Sequence, residues 1–276
     1  MMRKDRSAID RRDFGLGALA AGATVLLTSH SGIAQNVLKR LGDEFTGDLR
    51  ELADDAREAI AYLMGMQSYV YGYPLVMMDV TREVLTAASA PNADGTAAPI
   101  NQLAKMPHYV SPDFKNVVRI SLNSLWTTGW LDLDKEPIVL SAPNTKDRYF
   151  VFSVMNMWTD VFASIGNRAT GTSAADFLIA GPNWKGAAPA GIKDTFRSST
   201  RYAWALGQTQ ANGPADFPAV NAIQEGYKLT PLSAWGKSYT PPTNVPVDSK
   251  VDLQVTPPTR WHEWMPGLSS TAFPWR

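Results

Sequence analysis

Between residues 117 and 207 the chain is a succession of short β-branched and aromatic runs, and no other feature constrains its fold as strongly. The runs span 117 to 122, 125 to 133, 137 to 141, 148 to 157, 159 to 165, 176 to 180 and 200 to 207. Turn residues separate them, as in Asn144-Thr145-Lys146-Asp147 and Gly166-Asn167. Parallel strands need crossovers of a dozen residues or more, usually helical, and the segments between these runs carry no long helical pattern. The expected architecture is therefore an antiparallel sandwich or barrel.

Upstream the periodicity is helical. Residues 48 to 70 place Leu49, Leu52, Ala56, Ala59, Ile60, Leu63 and Met64 at helical spacing, with Asp48 as N-cap, Glu51 in the first turn, and Asp54, Asp55, Arg57 and Glu58 opposite. Gly72-Tyr73-Pro74 predicts an interruption, because proline lacks a donor and pushes its predecessor out of the helical region. A second helix is predicted from Pro74 to Ala88, followed to residue 116 by an Ala-, Pro-, Asn- and Gly-rich covering loop. Asp216 to Gly226 has an acidic cap, an early proline and a terminal glycine, the pattern of a short helix. From Pro241 the chain is proline-rich and irregular.

The extreme N-terminus has a different character. Asp10-Arg11-Arg12-Asp13-Phe14-Gly15-Leu16 leads into an apolar run ending at Leu27, followed by Gly32-Ile33-Ala34. Paired arginines before a short apolar stretch and a small-residue site form a twin-arginine export signal. About fourteen apolar residues are too few for the roughly 20 that cross a bilayer. The signal reading predicts cleavage before Gln35, a periplasmic or secreted product, and the twin-arginine translocation machinery as a partner. The domain plan is then 1–34 signal, 35–115 helices and covering loop, 116–240 β-sandwich, and 241–276 irregular tail. Gly15-x-Gly17-x-x-Ala20 matches a dinucleotide fingerprint in letters, but it lies inside the signal with no strand before it.

Charge and composition narrow the partners. Of 26 bases and 26 acids, five bases and three acids precede Gln35, so the remainder carries 21 against 23, a net charge of −2. Nucleic acid and anionic lipid call for clustered positive charge, so neither is expected. The absence of cysteine excludes disulfides, thiolate metal sites and a cysteine nucleophile.

Several motifs recur in a fixed order: Tyr69-Val70-Tyr71-Gly72-Tyr73-Pro74-Leu75, Trp130-Leu131-Asp132-Leu133 before Glu136-Pro137-Ile138-Val139-Leu140, and Asp147-Arg148-Tyr149-Phe150. Trp158-Thr159-Asp160-Val161-Phe162, Gly166-Asn167-Arg168-Ala169-Thr170-Gly171, Gly181-Pro182-Asn183-Trp184-Lys185-Gly186 and Lys228-Leu229-Thr230-Pro231-Leu232 follow. Together, over roughly residues 60 to 235, they resemble the bacterial family called domain of unknown function 1254. The resemblance implies an exported protein and a fold that is mainly β with N-terminal helices, a jelly-roll-like antiparallel β-sandwich. It implies no established reaction. Family members commonly continue into a domain of unknown function 1214, which this sequence lacks, so a truncated or frameshifted copy is expected. Where the family usually reads Arg-Pro-Asn-x-Asp-Thr-Leu-Tyr, this chain has Arg119-Ile120-Ser121-Leu122-Asn123-Ser124-Leu125-Trp126, with an amide in place of a carboxylate. Asn156 likewise stands where Asp is usual. An amide does not ionise near neutral pH, which counts against acid/base work at either position.

No catalytic constellation stands out. Beyond the signal only His108 and His262 are available as imidazoles, far apart and without neighbouring ligands, so no metal and no named cofactor are expected. Asp132 and Asp134 share one strand face, either as a solvated face or as paired carboxylates for glycoside chemistry. A mixed aromatic and polar set falls on the central runs: Arg119, Asn123, Trp126, Trp130, Arg148, Asn156, Asp160 and Arg168. By period two, Trp126, Trp130 and Asp132 share a face opposite Leu125, Leu131 and Leu133. Those tryptophans either fill a core or subunit interface, or line a pocket where Arg148 or Arg168 fixes an anionic or hydroxylated ligand. The expectation carried forward is a binder of a small molecule or glycan, with a homo-oligomer allowed. The rivals are an envelope hydrolase using Asp132, Asp160 or His108, and a structural or assembly protein.

Overall fold

A computed structural model describes residues 32–111, 114 and 120–247. The segment to Ser31, which holds most of the predicted export signal, the run at 117 to 119 with Arg119, and the tail beyond Val247 with His262 lie outside the described residues. The chain divides into two compact units, Met1–Tyr69 and Val70–Arg276.

Helix α1, Gly32–Thr86, begins in the first unit and continues into the second as one element of 55 residues. The interruption predicted at Gly72-Tyr73-Pro74 does not occur: Pro74 lies inside the helix. Proline removes one backbone bond, but the turns after it are held from outside. Leu75, Met78 and Leu85 pack on the aromatic face of a sheet, and this tertiary contact outweighs the local preference.

The second unit is a two-sheet β-sandwich of nine strands. These are β1 (Ala104–Lys105), β2 (Ser124–Asp132), β3 (Ile138–Ala142), β4 (Phe150–Asn156), β5 (Val161–Gly166), β6 (Ala175–Ala180), β7 (Ile192–Arg197), β8 (Tyr202–Gln210) and β9 (Lys228–Pro231). One sheet has the order β1-β2-β8-β4-β5, with every pairing antiparallel. The other runs β7-β6-β3-β9. Its β6–β7 pair is parallel, the one departure from an all-antiparallel sandwich among the described strands. Helix α2, Phe217–Gly226, follows a single 3-10 turn at Pro214–Asp216, as its proline and terminal glycine predict.

Alternation explains how the sheets stack. In β4 the buried residues Phe150, Phe152 and Val154 alternate with half-buried ones, and in β8 Ala203 and Ala205 do the same. With Leu131, Ile138, Leu140, Ile165, Phe177, Ile179 and Tyr227 they form one continuous core between the sheets. Gly207 sits opposite Phe152, where a Cβ would come within 2.5 Å of the ring, so only glycine leaves room for it there. The Ala- and Pro-rich excursion after α1 is more integrated than a surface loop: Ala98, Leu103, Ala104 and Met106 are buried, and β1 pairs with β2.

Candidate functional site

The side of the five-stranded sheet away from the core carries Trp126 and Trp130 of the aromatic and polar set. Trp126, Thr128, Trp130 and Asp132 project from β2, opposite Gln208, Leu206, Trp204 and Tyr202 of β8. This is the face expected from period two. Its two ends differ.

At one end the face is closed. Trp130 is only 1% exposed, stacks on Trp204 with ring centroids 5.3 Å apart and planes 5° from parallel, and is covered by Met78 and Met157. Trp204 Nε1 donates to Thr128 Oγ1 at 2.7 Å, while Trp130 Nε1 has no partner among the described residues. Tyr202 lies between two guanidinium groups, Arg82 at 4.6 Å and Arg201 at 4.8 Å from its ring centroid. Trp130 therefore acts as core, the bland alternative for the tryptophans.

Asp132 is at this end too, and it is committed to an ion pair. Arg201 donates Nε to Oδ1 at 2.9 Å and its terminal nitrogen to Oδ2 at 2.6 Å. Burial pushes the Asp132 pKa up, but the hydrogen bonds from Arg201 and the Asp134 amide and the charges of Arg201 and Lys135 outweigh it, so the group ends below its ordinary value. A carboxylate held ionised this way is poorly suited to donate a proton, and Asp134 adjoins the same guanidinium at 4.0 Å.

Asn156 ends β4 as the anchor of a tight turn. Its Oδ1 accepts from the Trp158 and Asp160 amides at 2.8 and 3.1 Å. Its Nδ2 donates to Asp160 Oδ2 at 3.1 Å and to Ser199 Oγ at 3.0 Å. Thr159 between them has φ +68, a conformation that costs a β-branched residue energy and persists only because the turn is pinned on both sides. Asp160 and His108 are exposed.

The opposite end of the sheet is open. Asn123 precedes β2, Arg148 precedes β4, and Arg168 lies just past β5, whose Gly166 pairs with Val151. Arg148 and Asn156, at the two ends of β4, are roughly 26 Å apart along the strand, so the seven predicted residues that are described divide between two places. Asn123 accepts from Ser121 Oγ at 2.8 Å and is exposed, and Arg168 is exposed without a side-chain hydrogen bond among the described residues. Trp126 is half-buried across from Gln208, and its Nε1 is buried without a hydrogen-bond partner among the described residues.

A cleft of about 600 Å³ opens here between the turn at 143–148 and helix α2. Arg148 forms its inner edge but is not free to grip a ligand. Its two terminal nitrogens donate to Asp216 at 2.6 and 2.8 Å, and one also reaches the Gln210 carbonyl at 2.9 Å. Those bonds raise the Arg148 pKa and, with the Asn212 amide, lower that of Asp216. The pair ties the turn to the start of α2.

The turn itself was missed as a site in the sequence. Lys146 and Asp147 both have positive φ, 51 and 64, while the Arg148 amide closes onto the Thr145 carbonyl at 3.0 Å. Consecutive left-handed residues favour glycine or asparagine, so a Lys-Asp pair here stores strain of the kind found at functional positions. It holds the exposed Lys146 ammonium at the cleft without a partner among the described residues. The available signal was Asn144-Thr145-Lys146-Asp147, recognisable as a turn but without a marker for its handedness.

The cleft offers mixed polar chemistry. Asn144 Oδ1 accepts the Lys146 amide at 2.8 Å, leaving its Nδ2 as a donor. Gln210 Nε2 donates to Asn212 Oδ1 at 3.1 Å, leaving Gln210 Oε1 to accept and Asn212 Nδ2 to donate. Ala219, Ala222 and Ile223 of α2 supply an apolar wall. Among the described residues no group of three His, Cys, Asp or Glu side chains could hold a metal ion.

Comparison with known families bears on this unit. Residues 100–231 match the family described as Protein of unknown function (DUF1254). This segment is similar to the DUF1254 family. It begins in the excursion before β1 and ends with β9, so it contains both sheets, the turn at 143–148 and helix α2. Among solved structures, the VPA0106 protein from Vibrio parahaemolyticus is similar at 22% identity and a TM-score of 0.49, over 66% of this chain and 41% of its own. A Burkholderia cenocepacia protein described as uncharacterized is similar at 10% identity and a TM-score of 0.32, over 49% of this chain and 36% of its own. The chain thus spans less than half the length of either structure. No curated protein matches it.

Proposed function

We propose that this is an exported protein whose DUF1254-like domain binds a small hydroxylated molecule carrying a single negative charge, of the sugar-acid type, in the cleft at the Arg148 end of the five-stranded sheet. One observation carries the reading: a Lys146 ammonium, unpaired among the described residues, held by a strained turn at the mouth of a 600 Å³ cleft. That volume falls within the range of small-molecule sites. Lys146 supplies a point charge, Asn144, Asn212 and Gln210 supply donors and an acceptor for hydroxyls, and the α2 wall accommodates a C–H face. Arg148 positions this site through Asp216, without touching the ligand. Export rests on the twin-arginine motif, and the translocation machinery is the partner it implies.

Asp132, the carboxylate that the hydrolytic reading would use, is held ionised by Arg201 at the other end of the sheet, which disfavours glycoside chemistry there. Calorimetric titration of the purified chain with a panel of sugars, sugar acids and small carboxylates tests the proposal. Sugar acids are expected to bind, and Lys146→Ala is expected to weaken them about tenfold, the loss of one charge-assisted contact. Equal affinity for neutral sugars, or unchanged affinity in Lys146→Ala, would refute the assignment.

A further inference from the structure

We infer that the first unit's part of helix α1, with the turn that follows it, forms an antiparallel coiled coil with a second copy of this chain. Leu52, Ala56, Ala59, Leu63, Met66 and Val70 recur at alternating spacings of four and three, the period of a coiled-coil seam and not of a straight globular helix. The larger members are exposed far beyond what a lone soluble helix tolerates: Leu52 65%, Leu63 58%, Met66 49% and Val70 71%. Ile60 and Tyr62, each 56% exposed, flank the seam on its two sides. An unpartnered apolar stripe of this length marks an association surface.

The identity of the partner follows from complementarity. In an antiparallel pair centred beside Ala61, Ala56 meets the partner copy's Met66, Ala59 meets its Leu63, and Leu52 meets its Val70, with each contact repeated by symmetry. Small residues then face large ones in the central layers, as interdigitated packing requires. Charge selects the same direction. Residues 52 to 58 hold Asp54, Asp55 and Glu58 against Arg57 alone, while 59 to 70 contain no Asp, Glu, Lys or Arg. An antiparallel pair sets each acidic stretch beside the other copy's uncharged one, whereas a parallel pair stacks acid on acid. Six larger side chains per copy, at about 60–120 Å² each, cover roughly 360–720 Å², the scale of a reversible dimer.

Sedimentation equilibrium of the full chain from micromolar to hundreds of micromolar tests this. The wild type is expected to dimerise in that range, and Leu63→Glu to raise the dissociation constant roughly a hundredfold, since each dimer loses two buried leucines. Met64→Glu, one position off the seam on an equally exposed side chain, is expected to change it little. Because the chain has no cysteine, engineered thiols report direction cleanly. The double variant Ala59→Cys, Leu63→Cys is expected to cross-link under oxidation, and Ala59→Cys alone is not. A monomeric wild type, a Leu63→Glu variant that dimerises like it, or efficient cross-linking of Ala59→Cys alone overturns the inference.

Discussion

Asn156 shows how one atom fixes what a position can do. The family resemblance expects Asp there, and in isolation the change reads as a lost acid. Its surroundings give another reason: Nδ2 donates to the Asp160 carboxylate and to Ser199, and a carboxylate cannot donate either bond when ionised. Asn156 is only 4% exposed, so Asn156→Asp would bury a second negative charge about 3 Å from the first. The variant is expected to lose about 2–3 kcal/mol of stability at pH 7. Crowding by Asp160 would raise the new group's folded pKa above its unfolded value. The penalty is then present above that folded pKa and is relieved as the pH falls through it and the group takes up a proton. Chemical denaturation at pH 7 and pH 5 measures both parts, and a variant equally destabilised at the two would show that lost geometry, not charge, sets the cost.

At the scale of elements, the strands were legible as β-branched and aromatic runs between turn residues, with burial alternating at period two in β4 and β8, and the short helix α2 because its proline and glycine mark both ends. The strands β1, β7 and β9 were not: two residues at β1 carry no periodicity, and β7 and β9 are half-exposed edge strands whose places come from pairing with β6 and β3. The continuity of α1 through Pro74 was equally hidden, since the contacts that hold it are made by residues far away in sequence. The join between the 143–148 turn and α2 belongs to this scale as well, because it rests on Arg148 and Asp216, 68 positions apart. Asp216 has a folded pKa below its unfolded value, so its contribution is present above the unfolded pKa and is lost as the pH falls through the folded one. Melting temperature is therefore expected to drop below about pH 4. Asp216→Asn should lower it at pH 7 and flatten that acid limb. An acid limb as steep as in the wild type would assign the loss to other carboxylates, Asp132 first among them.

For the molecule as a whole, the candidate site was half legible. The sequence pointed to Asn123, Trp126, Arg148 and Arg168, of which Arg148 lines the cleft, but it could not see that Arg148 is spent on Asp216 or that a turn raises Lys146 beside it. Ion pairs and φ angles depend on contacts that letters do not record. Export is the opposite case: it is proposed from the letters alone, on residues that mostly lie outside the described ones, so it must be tested in cells. Residues 1–34 fused to a reporter that is active only after twin-arginine transport are expected to carry it across the membrane. Replacing Arg11 and Arg12 by lysine should abolish this, because the machinery reads the guanidinium pair and not the charge alone. The apolar run from Phe14 to Leu27 stays intact in that variant, so a hydrophobic segment engaging a different export route would still deliver the fusion. Loss of transport therefore separates the twin-arginine reading from general secretion, and persistence of transport in the double lysine variant would end it.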